Sequence, residues 1–133
     1  MKRTLRLAAG LAAVLLFPFL FSGCPQLVSV SIEDRIDMFL TDLTTDSSRT
    51  GIYKNLHPDI QDPWKAPEAW EATDFQWDYH PFDFLGMSYF SSSANGTMTY
   101  GGPLSADIDF VMKKDGDDWY ILSITVNGVQ QVH

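Results

Sequence analysis

The sequence predicts an α+β domain in which one N-terminal amphipathic helix packs on a curved antiparallel sheet. Two observations support this fold class. Residues 31–45 carry apolar side chains at helical spacing, and residues 106–126 alternate apolar and polar side chains on both sides of an Asp-Gly turn. A helix followed by a run of strands is typical of an α+β fold, because the apolar stripe of the helix must be buried against the sheet.

The helix over residues 31–45 has a recognisable start and a single apolar face. Ser31 offers a hydroxyl that can cap free backbone amides, and the acids that follow it suit the positive end of the helix dipole. Its apolar stripe consists of Ile32, Ile36, Phe39, Leu40 and Leu43. Its polar side consists of Asp34, Arg35, Asp37, Thr41 and Asp42. Residues 44–51 are polar and end the helix.

The next segment is predicted to be mostly irregular. Residues 52–56 fit a second short helix that stops at His57-Pro58. Prolines make residues 57–68 irregular, and one turn of helix is expected from Pro67 to Ala72.

A change of period then predicts strands. Residues 75–80 alternate aromatic and polar side chains, which is typical of a half-buried strand. Residues 82–91 form a second predicted strand. Asn95-Gly96 is expected to turn the chain into a third strand at 97–100, before a break at 101–103.

The last third gives a predicted hairpin. One strand buries Ala106, Ile108, Phe110 and Met112, leaving Asp107, Asp109, Val111 and Lys113 on the other face. The chain turns at residues 114–117 and returns over 119–126. The predicted apolar face of the returning strand is Tyr120, Leu122, Ile124 and Val126, and Asn127-Gly128 ends it.

The first residues have the pattern of a secretory signal peptide. Three basic residues precede an apolar run over 7–21, which is short for a transmembrane helix and contains Pro18. The run leads through Leu20-Phe21-Ser22-Gly23 to Cys24, the only cysteine. This motif resembles the lipobox of bacterial lipoproteins, with Phe21 standing where Leu is commonest.

The lipobox resemblance implies a signal peptide over 1–23, a lipidated Cys24, a short tether over 24–28 and one α+β domain over 29–133. It implies attachment to a membrane of the bacterial cell envelope through acyl chains on Cys24, on the periplasmic side of the outer membrane in a Gram-negative cell. The alternative is a plain secretory signal that is cleaved elsewhere and leaves Cys24 as an ordinary thiol.

The charge after Cys24 excludes one class of partner. All 17 acidic residues follow Cys24, whereas only six of the nine basic residues do, so the net charge after that point is −11. Nucleic acid is not expected as a partner, because phosphate binding needs clustered Lys and Arg. Acidity also disfavours adsorption to anionic lipid, so membrane attachment would depend on the acyl chains.

The order of the elements resembles the nuclear-transport-factor-2-like fold, also called the cystatin-like cone. The resemblance is carried by the helix over 32–45 and by the segment 110–124, where a charged turn precedes Trp119. The alternative is another small lipoprotein domain built from a sheet and a helix. The resemblance implies either an isomerase or dehydratase with a carboxylate, His or Tyr inside the cone, or a protein that only binds a ligand or partner.

The candidate catalytic residues are few. Asp78 and His80 stand two apart on a predicted strand, so they project from the same side, and the carboxylate can orient the imidazole. The alternative is that both belong to a polar outer face. His57 and Asp59 could join His80 as ligands of a metal ion. Zinc sites, however, need three or four converging ligands, and nothing in the spacing of these residues requires a metal. No metal or cofactor is therefore expected.

The candidate binding residues come from an aromatic-rich segment. Residues 64–90 hold half of the chain's aromatic residues, which is more than a small core buries easily. This predicts an exposed aromatic surface or pocket mouth for an envelope protein, a glycan or a small apolar ligand. Its predicted members are Trp70, Trp77, Tyr79, Phe84 and Tyr89. The alternative is that the aromatics fill the interior of the cone and cover its rim.

Three functions follow from these patterns. The leading expectation is a lipid-anchored, non-catalytic binding domain of the envelope. The second is an isomerase- or hydrolase-like envelope enzyme that uses Asp78 and His80. The third is a structural lipoprotein that acts only as a scaffold.

Overall fold

The computed structural model describes residues 28–46 and 48–133, and over these ranges the chain has the predicted α+β class. The predicted signal peptide and lipobox, including Cys24, lie outside the described residues. The helices are α1 (Ile32–Thr45), a 3₁₀ helix (Ile52–Asn55), α2 (Pro58–Trp64) and α3 (Pro67–Glu71). The strands are β1 (Phe82–Tyr89), β2 (Ser93–Tyr100), β3 (Leu104–Asp115), β4 (Asp118–Val126) and β5 (Val129–Val132). Within the described ranges, no helix combines the length and the apolar character needed to cross a membrane.

Helix α1 begins as its sequence predicts. Ser31 Oγ accepts a hydrogen bond from Asp34 N at 3.1 Å, and Asp34 Oδ2 accepts one from Ser31 N at 3.5 Å, which together form a capping box. The segment before the helix is fixed to β4, because Val30 N donates to Asp118 Oδ1 at 2.8 Å and Trp119 N donates to Val30 O at 3.0 Å. The rigid domain therefore begins at about residue 30.

Arg35 corrects one detail of the predicted polar face of α1. It is 5% exposed, and its Nε donates to Trp119 O at 2.8 Å. The guanidinium lies 4.2 Å from the centre of the Tyr120 ring. A long side chain can bury its aliphatic part while its charged group still finds hydrogen-bond and aromatic partners. The helical pattern alone therefore assigns Arg35 to the exposed face by mistake.

Helix α2 lies where the sequence predicted irregular structure. Pro58 occupies the first helical position, where a missing N–H costs nothing. His57 caps the helix, because its Nδ1 accepts a hydrogen bond from Asp59 N at 3.0 Å. Pro63 lies in the last turn of this seven-residue helix. Prolines at these places mark the start and the last turn of a short helix and do not prevent it from forming. The 3₁₀ helix and α3 agree with the prediction to within one residue at each end.

The strand predicted for residues 75–80 is wrong. The chain bends there without strand pairing. Thr73 Oγ1 lies 2.9 Å from Trp70 O and 2.6 Å from Phe75 O, and its one hydroxyl proton can be donated to either carbonyl oxygen. His80 N donates to Asp78 O at 3.0 Å. These local hydrogen bonds to backbone groups take the place of pairing with a neighbouring strand. The aromatic residues of this segment therefore lie in a loop.

The five strands form one antiparallel sheet in the order β1-β2-β3-β4-β5. Asn95-Gly96 was predicted to be a turn, but both residues lie inside β2, and the turn falls at residues 90–92. The pairing of β1 with β2 shifts register between Leu85 and Ser88, directly opposite Gly96. A Cβ on Gly96 would lie 3.0 Å from Leu85 O, so this glycine permits close approach rather than a turn.

Strand β3 buries the predicted side chains, but the face of β4 is partly wrong. Val111 pairs with Ser123 and Met112 with Ile121, so Leu122 is an extra residue in the ladder. Because of this bulge, fully buried Ile121 shares the inner face with Ile124 and Val126. After β4 the chain does not end its pairing at residues 127–128. It turns there into β5, which the sequence did not predict.

Aromatic rings fill the space between α1 and the sheet. Phe39 lies at the centre of this core. Its ring centre is 5.8 Å from that of Phe110, 6.2 Å from that of Trp77 and 6.4 Å from that of Phe84. The inner face of the sheet is therefore packed against α1.

Candidate functional site

Trp70 and Trp77 are buried, with exposed fractions of 0% and 1%. Their predicted place on an exposed aromatic surface is therefore wrong. Their ring centres are 5.7 Å apart, and that of Trp70 is 5.1 Å from that of Trp64. Trp70 Nε1 donates to Trp64 O at 2.9 Å and Trp77 Nε1 to Thr73 Oγ1 at 3.0 Å. Both indole N–H groups thus have hydrogen-bond partners within the protein, which agrees with the alternative that the aromatic residues fill the interior.

The other three predicted binding residues do not form one surface. Phe84 is half-buried and stacks on Phe39. Tyr79 is 45% exposed and Tyr89 is 38% exposed. Tyr79 precedes the start of β1, whereas Tyr89 is its last residue, so the two lie at opposite ends of the strand. Burial raises the pKa of Tyr89, as do, to a smaller extent, the charges of Asp37 and Glu33 on α1.

Asp78 and His80 lie in the bend before β1, and both are exposed. Without a strand they have no common face, and the His80 ring instead lies 5.1 Å from that of Phe82, centre to centre. The enzyme alternative required both side chains to line one concave pocket, and this arrangement is not found. His57 is 5% exposed and its Nε2 lies 3.1 Å from Lys114 O, so it is a structural residue. Across residues 28–46 and 48–133, no group of three side chains is arranged to hold a metal ion.

Three of the predicted residues do meet at one place. Trp70, Trp77 and Asp78 line a hollow of about 190 Å³ together with Arg49, Glu71 and Gln76. We call this site the Arg49 hollow. Its lining comes from the loop after α1, from the end of α3 and from the bend before β1. Arg49, Glu71 and Gln76 were not predicted, because no periodicity or motif marks a residue that reaches a site from a loop or from the end of a short helix.

The loop after α1 holds Arg49 in an unusual backbone conformation. Its φ is +59°, in the left-handed region that few non-glycine residues adopt. The Asp46 carboxylate fixes the loop by accepting hydrogen bonds from Ser48 Oγ at 2.6 Å, from Ser48 N at 3.1 Å and from Gly51 N at 2.6 Å. The bond from the Ser48 hydroxyl is the main cause that lowers the pKa of Asp46. The backbone of Arg49 is therefore positioned by a charged, hydrogen-bonded loop.

The Arg49 guanidinium borders the hollow and pairs with Glu71. One terminal nitrogen, Nη2, donates to Glu71 Oε1 at 2.7 Å. The side chain of Arg49 is 16% exposed, and that of Glu71 is 58% exposed. Arg49 Nε is buried and has no hydrogen-bond partner among the described residues. A buried donor without a partner is rare in native structures, and this one is closed off from solvent.

The accessible part of the lining is mainly polar. Trp70 and Trp77 lie behind it and, being buried, offer a ligand almost no surface. Glu71 and Asp78 supply acceptors, and Gln76 supplies both a donor and an acceptor. Every charged or polar side chain of the lining can therefore hydrogen-bond to a ligand.

No protein-family model matches the chain, and comparisons with curated proteins and with solved structures also return no match.

Proposed function

We propose that this chain is a lipid-anchored, non-catalytic binding domain of the bacterial cell envelope, with the Arg49 hollow as its ligand site. The observation that carries the proposal is the hollow itself, which is lined by the polar side chains of Arg49, Glu71, Gln76 and Asp78. Ligand sites commonly hold a small number of fixed polar groups that orient a ligand. The loop that positions Arg49 is held by four polar contacts, so the site is formed before a ligand arrives.

The packing between α1 and the sheet favours binding over catalysis. In the cone-like family that the sequence resembles, catalytic side chains project into the interior. Here Phe39, Phe84 and Phe110 fill that interior with ring-to-ring contacts. A cone-like sheet remains part of the proposal. The register shifts in the β1–β2, β3–β4 and β4–β5 pairs support it, because bulges bend and twist strands.

The membrane anchor is proposed from the lipobox-like segment that ends at Cys24. Val30 is already bonded to Asp118, so only residues 25–29 separate Cys24 from the fixed part of the domain. At roughly 3.5 Å per residue such a tether spans about 20 Å at most. Acyl chains on Cys24 would therefore hold the domain close to the bilayer surface.

The anchor is tested by moving the thiol. The wild-type chain should incorporate labelled palmitate and sediment with membranes, and Cys24→Ser should abolish both. A Cys24→Ser/Ser29→Cys variant keeps one thiol five residues later, and it serves as the matched control because a lipobox cannot act there. Mass spectrometry of the wild-type N-terminus then identifies the modified residue. An unlipidated Cys24 in the mature protein would contradict the anchor.

The binding role is tested by exposing the chain to four classes of small molecule, namely sugars, carboxylates, amines and apolar rings. Occupation of the hollow should shift the indole N–H NMR signals of Trp70 and Trp77, because both residues lie directly behind it. Asp78→Ala should weaken the response, whereas Glu68→Ala, an exposed change on α3 outside the lining, should leave it unchanged. If no class shifts these signals at about 10 mM, a millimolar affinity is excluded. The scaffolding role is then the better explanation.

A further inference from the structure

A second hollow adjoins the Arg49 hollow at Gln76 and has aromatic residues in its wall. It encloses about 260 Å³ and is lined by Asp74, Phe75, Gln76, Tyr79 and Tyr100. We call this site the tyrosine hollow. Tyr79 is 45% exposed, and Phe75 and Tyr100 are half-buried, so a ligand can reach ring surface here. The tyrosine hollow differs in this respect from the Arg49 hollow, whose two tryptophans are buried.

The exposed ring of Tyr79 is held in place by the turn between β2 and β3. Gly101 N donates to Tyr79 O at 2.8 Å. A Cβ on Gly101 would lie 3.8 Å from Tyr79 Cδ1, so the ring lies close to the glycine backbone. The ring centre of Tyr100 is 6.1 Å from that of Tyr79 and 5.0 Å from that of Phe75. The three rings therefore form one continuous aromatic group before a ligand arrives.

The charge of the tyrosine hollow favours a cation. Among the described residues its lining contains one carboxylate, that of the exposed Asp74, and no Lys, Arg or His. Within residues 28–46 and 48–133 the Asp74 carboxylate forms no ion pair. The net charge of −11 after Cys24 also attracts cations towards the surface of the domain. An anion would be repelled, and a neutral molecule would gain nothing from the charge.

Aromatic rings beside one carboxylate suit a quaternary ammonium group better than a primary one. The face of an aromatic ring attracts a cation that lies within about 6 Å of the ring centre. A quaternary ammonium carries its charge on methyl groups, which pack against rings and need no hydrogen-bond acceptor. A primary ammonium has three N–H donors and is strongly hydrated, so it loses more when it leaves water.

We infer that the tyrosine hollow is a second binding site of this chain and that it takes a quaternary ammonium group. The methyl groups contact the rings of Tyr79 and Tyr100, and the Asp74 carboxylate offsets the charge. A free molecule such as choline and the headgroup of a choline lipid both carry this group. The site is additional to the Arg49 hollow and does not depend on it, because the two linings share only Gln76.

The experiment compares choline with dimethylbutanol, its neutral isostere in which a carbon atom replaces the nitrogen. The full-length chain, in a maltoside detergent that carries no choline, is labelled with ¹³C at its tyrosine rings. Both compounds are titrated at matched ionic strength while the ring signals are recorded by NMR. Choline should saturate shifts at Tyr79 and Tyr100 with a millimolar dissociation constant, and the isostere should not. The signals of Tyr53 and Tyr120, which lie outside the lining, should not move.

Two results of this titration would overturn the inference. Equal responses to choline and to its isostere would show that the positive charge plays no part. The absence of any shift at about 50 mM choline would exclude a millimolar affinity.

Three variants test the assigned contacts, with binding followed at the Tyr100 signal. Tyr79→Leu removes an exposed ring and should weaken choline binding about two- to fivefold, the effect of one exposed cation–π contact. Tyr79→Phe keeps the ring and should bind as the wild type does. Asp74→Asn should weaken binding by a similar factor, and the loss should be larger at low salt than at high salt.

Glu68→Gln is the matched control for Asp74→Asn, because it removes an exposed carboxylate of α3 that lies outside the lining. It should leave choline binding unchanged. Binding that Tyr79→Leu and Asp74→Asn both retain in full would overturn the inference, because choline would then bind elsewhere.

Glycerophosphocholine separates the two sources of the group, because it carries the whole lipid headgroup in soluble form. Tighter binding of glycerophosphocholine than of choline would identify a lipid as the source, and the opposite order would identify a free cation. The indole signal of Trp70 reports on the Arg49 hollow, so the two sites succeed or fail separately. A choline response at Trp70 without one at Tyr79 would assign the cation to the Arg49 hollow and overturn this inference.

Discussion

Trp70 and Trp77 are core residues that lie behind the Arg49 hollow. Their burial explains why the sequence pattern misleads. Aromatic density within residues 64–90 shows only that rings are abundant, not which of them point inward. Trp64 and Trp70 enter the core from α2 and α3, and Trp77 enters it from the bend before β1, so none of these rings lies on a strand.

Trp70→Ala should therefore lower the free energy of unfolding by about 3–5 kcal/mol, because it removes a fully buried ring and leaves a cavity. Urea denaturation followed by far-UV circular dichroism measures this change. Tyr79→Ala is the matched control, since Tyr79 is 45% exposed and its removal should cost much less. Equal losses in the two variants would show that Trp70 is not a core residue in solution.

Asp46 is the residue through which pH should act on the loop that carries Arg49. Its folded pKa is lowered below 3.8, mainly by the Ser48 hydroxyl and also by backbone N–H groups. A lowered pKa means that the unfolded chain binds a proton more readily. The stabilisation is therefore present above about pH 4 and is lost as pH falls through the folded pKa.

Asp46→Asn should reduce the free energy of unfolding by about 1–2 kcal/mol near pH 7. The asparagine amide has one acceptor oxygen, so it cannot accept the hydrogen bonds from both Ser48 and Gly51. The difference between variant and wild type should shrink below pH 4, where the wild-type carboxyl becomes protonated. Denaturation curves at pH 7, 5 and 3 test this. A constant difference across the three pH values would contradict the role of the ionised carboxylate.

Among the elements, α1 and β3 are the ones that the sequence predicts best. Both have long, regular apolar patterns and local start or turn signals, such as the Ser31–Asp34 capping box and the turn after Asp115. Strand β4 shows the limit of such patterns. One bulged residue, Leu122, changes the face of every residue on one side of it, and no feature of the sequence marks its position.

Gly96 gives an element-scale prediction. Asn-Gly is a common turn dipeptide, yet here Gly96 lies inside β2 opposite the β1 bulge. A Cβ would contact Met87 Sδ and lie 3.0 Å from Leu85 O, which is backbone and cannot move aside cheaply.

Gly96→Ala should destabilise the domain by about 1–3 kcal/mol, through strain between β1 and β2. Thermal unfolding measures the effect. Gly116→Ala would not be a matched control, because Gly116 has a positive φ of 62°. The exposed neighbour Asn95→Ala is the better control, and it should change stability little. A Gly96→Ala variant as stable as Asn95→Ala would contradict the close approach.

For the whole molecule, acidity is the dominant electrostatic property. The 17 acidic residues face six basic ones after Cys24. Arg49, Lys65 and Lys113 each pair with an acid, and Arg35 is buried against backbone and aromatic groups. Many carboxylates therefore repel one another across the surface, including Asp107 and Asp109 on the outer side of β3.

The melting temperature should rise by a few degrees between about 10 mM and 300 mM NaCl, because salt screens this repulsion over distances near 10 Å. Asp107→Asn/Asp109→Asn should melt higher at low salt and respond less to added salt. Differential scanning calorimetry at several salt concentrations provides the comparison. A melting temperature that falls with salt would mean that the three ion pairs outweigh the repulsion.

The sequence by itself determined the α+β class, the position of α1, the inner face of β3 and the acidity of the domain. These depend on local periodicity, capping and composition, which are written in neighbouring residues. Only the tertiary structure decided that Trp70 and Trp77 are buried, that residues 75–80 bend instead of pairing, and that Arg49 reaches Glu71 across the loop. These features depend on contacts between residues distant in the chain, where packing and hydrogen bonds to the backbone override local pattern.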